Sequence, residues 1–199
     1  MSSVRTPAPD RALATGGRVY VRPPRAADRA AFLEAVAASR GLHHPWIHPP
    51  ADAAGFAAYR KRCARPDCCG FLVCRIEDDA LVGVFNISQI FRGGFQNAYM
   101  GYYAFAPLAG QGYMREGLHL VLGYTFQLLH LHRLEANIQP GNSRSIELVR
   151  AAGFALEGFS PRYLKIGNRW RDHERWAIRS ETWKLARGSR RPGRARPDR

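Results

Sequence analysis

Ala109-Gly110-Gln111-Gly112-Tyr113-Met114-Arg115-Glu116 puts closely spaced glycines where a strand-like run, Met100 to Ala106, hands over to a helical pattern reaching about Leu129. Such a junction aims free backbone N–H groups at a phosphate. The same turn also has a purely structural reading. Gly110, Gly112 and Gly117 do not have Rossmann spacing, and no Gly-Lys-Ser/Thr follows as in a P-loop.

Two other clusters could do chemistry. Cys63, Cys68, Cys69 and Cys74 lie close together, but a zinc site needs a second ligand pair, and Cys63-x4-Cys68-Cys69 lacks C-x2-C spacing. Reduced structural thiols are expected, and no metal. His43, His44 and His48 share a stretch with three prolines and Trp46. Metal binding is one reading. Without a patterned carboxylate or cysteine partner, a surface loop lining a cleft over His43 to Pro50 is the expectation.

These residues sit in a chain of 199 residues, 46% hydrophobic, which suffices for one core and sets one domain as the default. The net charge is +14. Seven basic residues and one acid fall between Lys184 and Arg199, interspersed with Gly188, Ser189, Pro192, Gly193 and Pro197. Such a tail cannot bury enough apolar surface to offset its ordering entropy, so disorder is expected. It reads either as an electrostatic arm for RNA or another polyanion, or as a solvated end. The first residues, Met1 to Gly17, lack an apolar core, and the run from Leu118 to Leu131 is interrupted by His119, Gly123, Gln127 and His130. No membrane association and a cytoplasmic location are expected.

The elements that must position the loop follow from periodicity. Arg18 to Arg22 alternates like an edge strand, and Asp28 is placed to cap a helix carrying Phe32, Leu33 and Val36. A second helix runs from Asp52 to Arg65. Phe71 to Glu77, Leu81 to Phe91 and Ala98 to Ala106 read as an antiparallel meander feeding the glycine loop. Beyond it, Leu118, Val121, Leu122, Thr125, Phe126 and Leu129 recur at helical spacing. A short strand from Arg133 to Gln139, a helix from Ser143 to Ala152 stopped by Gly153, and a hairpin across Gly167-Asn168 complete the succession.

This order, with His132-Arg133-Leu134-Glu135-Ala136-Asn137, Asn142-x-x-Ser145, Gly153-Phe154-x-x-Glu157-Gly158, Tyr163-Leu164 and Trp170-Arg171-Asp172-His173, resembles the GNAT superfamily, specifically the ribosomal-protein-alanine N-acetyltransferases of the RimJ/RimL type. Asn86, Arg92-Gly93 and Tyr99 to Tyr102 fit too, so the resemblance covers about Val19 to Ile178. It implies an α/β GNAT fold, with a mostly antiparallel central sheet, flanking helices and a pantetheine groove between splayed strands. The corresponding division is a flexible segment 1–17, a catalytic domain 18–180 and a basic disordered tail 181–199.

The resemblance further implies acetyl-CoA, its pyrophosphate on the N–H groups of Gln111, Gly112, Tyr113 and Met114, and its pantetheine arm paired with backbone at Ala104 and Phe105. Asn137 and Asn142 would hold the arm from the other side. Family members usually begin the loop with Arg or Gln where this chain has Ala109, so Arg115 or Arg144 is expected to supply the cation. Glu157 matches the base and Ser145 the residue that protonates or hydrogen-bonds the leaving sulfur. The tyrosine acid of many members would fall at Val149, although Tyr102, Tyr103 or Tyr163 could reach the site. Trp46, Asn86, Asn97 and Tyr102 are the expected acceptor-lining residues.

An α-amine with pKa near 7.7–8.0 is roughly a quarter neutral at physiological pH, a lysine near 10.4 about a thousandth, so one water-relayed carboxylate suffices for the first. The expected acceptor is a ribosomal protein N-terminus beginning with Ala or Ser, attacked directly in a ternary complex. Two alternatives are a small-molecule acetyltransferase for a polyamine, amino acid or aminoglycoside, and a non-catalytic ribosome- or RNA-binding assembly factor using the basic tail.

Overall fold

The structure, a computed structural model, describes residues 12–188. Eight strands form one sheet in the order β1-β2-β3-β4-β5-β6-β8-β7. They are β1 (Ala14–Thr15), β2 (Val19–Arg22), β3 (Cys68–Arg75), β4 (Leu81–Ser88), β5 (Asn97–Ala104), β6 (Arg133–Ile138), β7 (Ala155–Ile166) and β8 (Arg169–Arg179). The helices are α1 (Arg29–Ala38), α2 (Arg40–His43), α3 (Ala53–Cys63), α4 (Tyr113–Gln127), α5 (Ser143–Ala151) and α6 (Ser180–Gly188). Among the described residues, no helix is long and apolar enough to cross a membrane.

The sheet's one parallel pairing joins β5 to β6 and lasts three residues, from Asn97↔Arg133 to Tyr99↔Glu135. Each strand stays paired on its outer side, β5 with β4 as far as Gly83↔Ala104 and β6 with β8 as far as Ile138↔Glu174. The sheet therefore splits beyond Tyr99 and Glu135, and the strand edges that face the split have no strand between them.

The helices cover the two faces unequally. Leu118, Val121, Leu122 and Phe126 of α4, at i, i+3, i+4 and i+8, bury against Val19, Val21, Phe71, Val73, Phe85 and Ile87, and Ile146 and Val149 of α5 join the same core. On the opposite face Phe32, Val36, Phe56 and Tyr59 pack on Tyr20, Leu72, Cys74, Val84 and Tyr103. The β6–β8–β7 half of that second face carries polar residues, including Arg133, Glu135, Asn137 and Arg175, and neither α1 nor α3 packs over them.

Several expectations require correction. Strand β2 is not an edge: β1 flanks it and all four of its residues are buried. Asp28 does not cap α1 through its side chain, because both carboxylate oxygens hold the Arg22 guanidinium at 2.8 Å and one also accepts from Arg25 N–H. The segment 1–17 includes strand β1, and the segment 181–199 begins within α6, whose Trp183 is buried against Phe126. The buried Trp183, with Ser180 N–H donating to His132 O and Glu181 pairing with the His132 ring, works against the ordering entropy that the basic composition alone could not meet. Residues 1–11 and 189–199 lie outside the described residues. His43 is the last residue of α2 and is buried, while 44–50 form turn and loop as expected. All four cysteines are free, and the described residues contain no group of three or more His, Cys, Asp or Glu side chains placed to hold a metal ion.

Candidate active site

Gly110 and Gly112 adopt φ of +78° and +81°, the left-handed region in which a Cβ is strained, and Gly112 caps α4. The first helical bond runs from Glu116 N–H to Gly112 O at 3.2 Å, so the helix itself supplies no acceptor for the N–H groups of Tyr113, Met114 and Arg115. Met114 contributes backbone here, since its sulfur lies over Gly83. The Gln111 side chain donates back to Pro107 O at 3.3 Å.

A cation reaches this loop from far away in sequence. Arg18 stacks over the Tyr113 ring at 4.6 Å, donates to Gln111 O at 3.2 Å, and pairs with Glu116 at 3.2 Å; a Cβ on Gly112 would stand 3.3 Å from its Nη2. Nothing near the loop in sequence signals this role, because the partners are 93 to 98 positions apart.

The split lies beside the loop. Phe105 N–H donates to Val82 O at 2.8 Å, so the pleat turns the backbone groups of Met100, Tyr102 and Ala104 toward β6. The Ala104 carbonyl accepts from His43 Nε2 at 2.8 Å, and Ala106 N–H donates to Ser39 Oγ at 2.8 Å. Phe105 therefore faces away from the split, and the Ala104 carbonyl is engaged within the chain. The backbone edge turned to the split and not taken by these contacts is that of Met100 and Tyr102, with the Ala104 N–H.

Under the split, on the α5 side, the Tyr102 hydroxyl lies 2.5 Å from Ser145 Oγ and donates to Ser145 O at 3.0 Å. Burial raises the Tyr102 pKa well above its usual value, so the phenol stays protonated, with the Ser145 contact pulling the other way. Asn142 Oδ1 caps α5 by accepting from Ser145 N–H at 3.2 Å, which fixes Ser145 at the positive end of the helix. Tyr102 thus sits on the α5 side of the sheet, on the face opposite Asn86 and Asn97. The Asn142 carbonyl serves the helix rather than a ligand.

On the opposite face the polar residues form a charged row. Arg133 makes a two-pronged pair with Glu157, Nη1 to Oε1 at 2.9 Å and Nη2 to Oε2, and its Nε donates to Glu135 Oε1 at 2.8 Å. Asn97 Nδ2 donates to the same Glu135 oxygen at 3.0 Å. The Arg133 hydrogen bonds hold Glu157 below the usual carboxylate range despite some desolvation. Glu157, on β7, is separated from β5 by two intervening strands, whereas Glu135 stands where the split begins. Glu135 was not read from the sequence as a site residue; the alternation of half-buried Arg133, Glu135 and Asn137 with buried Leu134, Ala136 and Ile138 marks its face.

Asn86, Asn97 and Asn137 each bury an Oδ1 that has no donor. Trp46 stands at the outer end of the site, in a cavity of about 260 Å³ shared with Gln139, Pro140, Gly141, Trp170, Arg171 and Asp172.

Residues 18–155 match the family model described as "Acetyltransferase (GNAT) domain". A probable N-acetyltransferase, YjcK of Bacillus subtilis, is 37% identical over 120 residues, 60% of this chain and 66% of the relative. The [ribosomal protein uS5]-alanine N-acetyltransferase of Escherichia coli is 36% identical over 107 residues, 54% of this chain and 55% of the relative. The chain thus spans just under two thirds, or about half, of the length of these curated relatives. Among solved structures, Mycobacterium smegmatis RimJ in complex with CoA-disulfide superposes with a TM-score of 0.74 at 26% identity, covering 85% of this chain and 89% of that one. Spermidine N-acetyltransferase from Vibrio cholerae, in complex with CoA and spermine, shares the fold with a TM-score of 0.72 at 20% identity, over 84% and 98% of the two chains.

Proposed function

Since the chain belongs to the GNAT acetyltransferase family, we propose that it transfers the acetyl group of acetyl-CoA to the α-amine of a ribosomal protein beginning with Ala or Ser, in the cytoplasm. The observation that carries the reading is the split between β5 and β6, flanked by the glycine loop, the Tyr102–Ser145 pair and the polar face of Asn86, Asn97, Asn137 and Glu135. Bound acetyl-CoA supplies an activated thioester. Tyr113, Met114 and Arg115 offer helix N-terminal N–H groups to its pyrophosphate, as do Gln111 and Gly112, with Arg18 beside them. Met100 and Tyr102 offer strand edge to its amide-bearing arm.

The acceptor amine attacks from the polar face. Ser145, backed by the Tyr102 hydroxyl and the α5 N-terminus, donates to the departing sulfur. Glu157 takes the amine's proton through water; its depressed pKa makes it a weak base, which suffices for an α-amine already roughly a quarter neutral. Both carboxylates on this face pair with Arg133, and the charges of Arg175 and Arg179 also act on Glu157, so the row carries no net negative charge. That balance favours a singly charged peptide N-terminus over a polyamine.

The test incubates the protein with acetyl-CoA and, in competition, peptides starting with Ala or Ser, spermidine, and an aminoglycoside, with products identified by mass spectrometry. Acetylation confined to the peptide α-amine supports the reading. Acetylated polyamine with unmodified peptide overturns it, and no turnover despite a thermal shift with acetyl-CoA points to an assembly role for the scaffold.

A further inference from the structure

Gly101 stands in the middle of β5, the central strand at the split, and it is the exposed residue of that strand. Glycine in a strand interior weakens it, so it needs a reason. Two other strand glycines have one in packing: a Cβ on Gly70 would come within 2.3 Å of Cys63 Sγ, and a Cβ on Gly83 within 2.6 Å of Met114 Sδ and of Tyr103 O. Gly101 has none. A Cβ there would meet nothing within 4 Å, and its φ is not in the left-handed region.

The missing side chain leaves a notch on the polar face. Asn86 is the registered partner of Gly101 on β4, and Tyr99 and Tyr103 flank it along β5 on the same face. Continuing the β5–β6 register, Asn97↔Arg133 and Tyr99↔Glu135, puts Asn137 level with Gly101 across the split. Asn86 and Asn137 both bury an Oδ1 with no donor. A buried carbonyl oxygen without a partner is costly, and here two such oxygens bracket one open glycine.

Resting on the acetyltransferase reading above, we propose that the Gly101 notch is the acceptor subsite: the first residue of the acceptor passes over Gly101, and its α-amino and first peptide N–H groups donate to Asn137 and Asn86. The orphaned atoms are both acceptors, and an amine-bearing peptide terminus brings the N–H donors they lack. The notch limits the bulk carried at that first residue, because Tyr99 and Tyr103 wall it along the strand.

The experiment compares wild type with Gly101→Ala, Gly101→Val and Asn86→Leu in steady-state kinetics, using a peptide starting with Ala, and in thermal shift with acetyl-CoA. A Cβ at 101 meets nothing within 4 Å and valine suits a strand, so the melting temperature should hold or rise. The peptide KM should rise with side-chain size, with kcat/KM falling about tenfold or more for Gly101→Val, while the acetyl-CoA KM and thermal shift stay at wild-type values. Unchanged peptide kinetics in Gly101→Val would overturn the subsite while leaving the acetyltransferase reading intact. If wild type acetylates only a polyamine, the peptide reading fails, and the same variants assayed with that amine decide the subsite by the same two outcomes.

Discussion

Removing either hydroxyl of the Tyr102–Ser145 pair should slow turnover by about a hundredfold, and removing both should cost little more. The two hydroxyls lie 2.5 Å apart at the capped N-terminus of α5. A donor pre-aimed at a developing negative charge in a water-poor site is worth about 10²–10³ in kcat when deleted, or about 2.7–4 kcal/mol. If Ser145 meets the sulfur and Tyr102 orients and polarises Ser145, the two act as one unit and their losses do not add. Stability should respond differently. Ser145→Ala leaves the Tyr102 hydroxyl its second partner, Ser145 O at 3.0 Å, so the variant should unfold within about 1 kcal/mol of wild type. Tyr102→Phe removes both bonds of a buried phenol and strands the serine hydroxyl. The assay follows thiol release at saturating acetyl-CoA and peptide for both single variants and the double, with chemical denaturation of each. Single variants that keep kcat within about threefold of wild type, or losses that multiply in the double, would refute the unit.

Arg18→Ala should raise the acetyl-CoA Kd by about threefold to tenfold, an effect that shrinks with added salt because the side chain is half exposed; titration calorimetry at two salt concentrations reads it. Arg133→Met frees Glu157 from the bond that depresses its pKa, so the acidic limb of the kcat/KM profile should move to higher pH, whereas an unmoved limb would show that Glu157 does not control it. His43 and His173 are buried with pKa values lowered mainly by desolvation. The unfolded chain therefore binds protons first as pH falls, so their contribution is complete well above about 6.5 and declines below it; the melting temperature should drop as pH falls below about 6.5, and less steeply in His43→Gln. Gly117→Ala should destabilise by about 1–2 kcal/mol in denaturant titration, because its Cβ would stand 2.9 Å from Val73 Cγ1, and the overpacking outweighs the gain in helix propensity.

Local pattern and residue type carried much of the architecture. The spacing of Leu118, Val121, Leu122 and Phe126 sufficed to place α4 and its buried stripe, since helical periodicity is a property of neighbouring residues. The helix beginning near Asp52 and the turn at Gly167-Asn168 were legible for the same reason, as was the glycine loop, where a positive φ restricts the residue to glycine. Asn86, Asn97, Asn137 and Tyr102 were recognisable as candidates, but not that the three asparagines share one face and Tyr102 the other.

What the tertiary structure alone decided involves partners distant in sequence. Arg18 meets Gln111 and Glu116, Arg133 joins Glu135 to Glu157, and Tyr102 meets Ser145 only because β5 and β6 pair for three residues and then part. The helical order of α6 likewise depends on Trp183 finding Phe126, which its basic neighbours gave no reason to expect. Even the chemical meaning of Gly101 is non-local. The residue is unremarkable in its own strand, and it becomes a notch only once Asn86 and Asn137 stand on either side with carbonyls left unpaired. Sequence determines which groups are available; their electrostatics and free hydrogen-bonding capacity arise from which strands lie side by side, because both depend on distance and burial rather than on order along the chain.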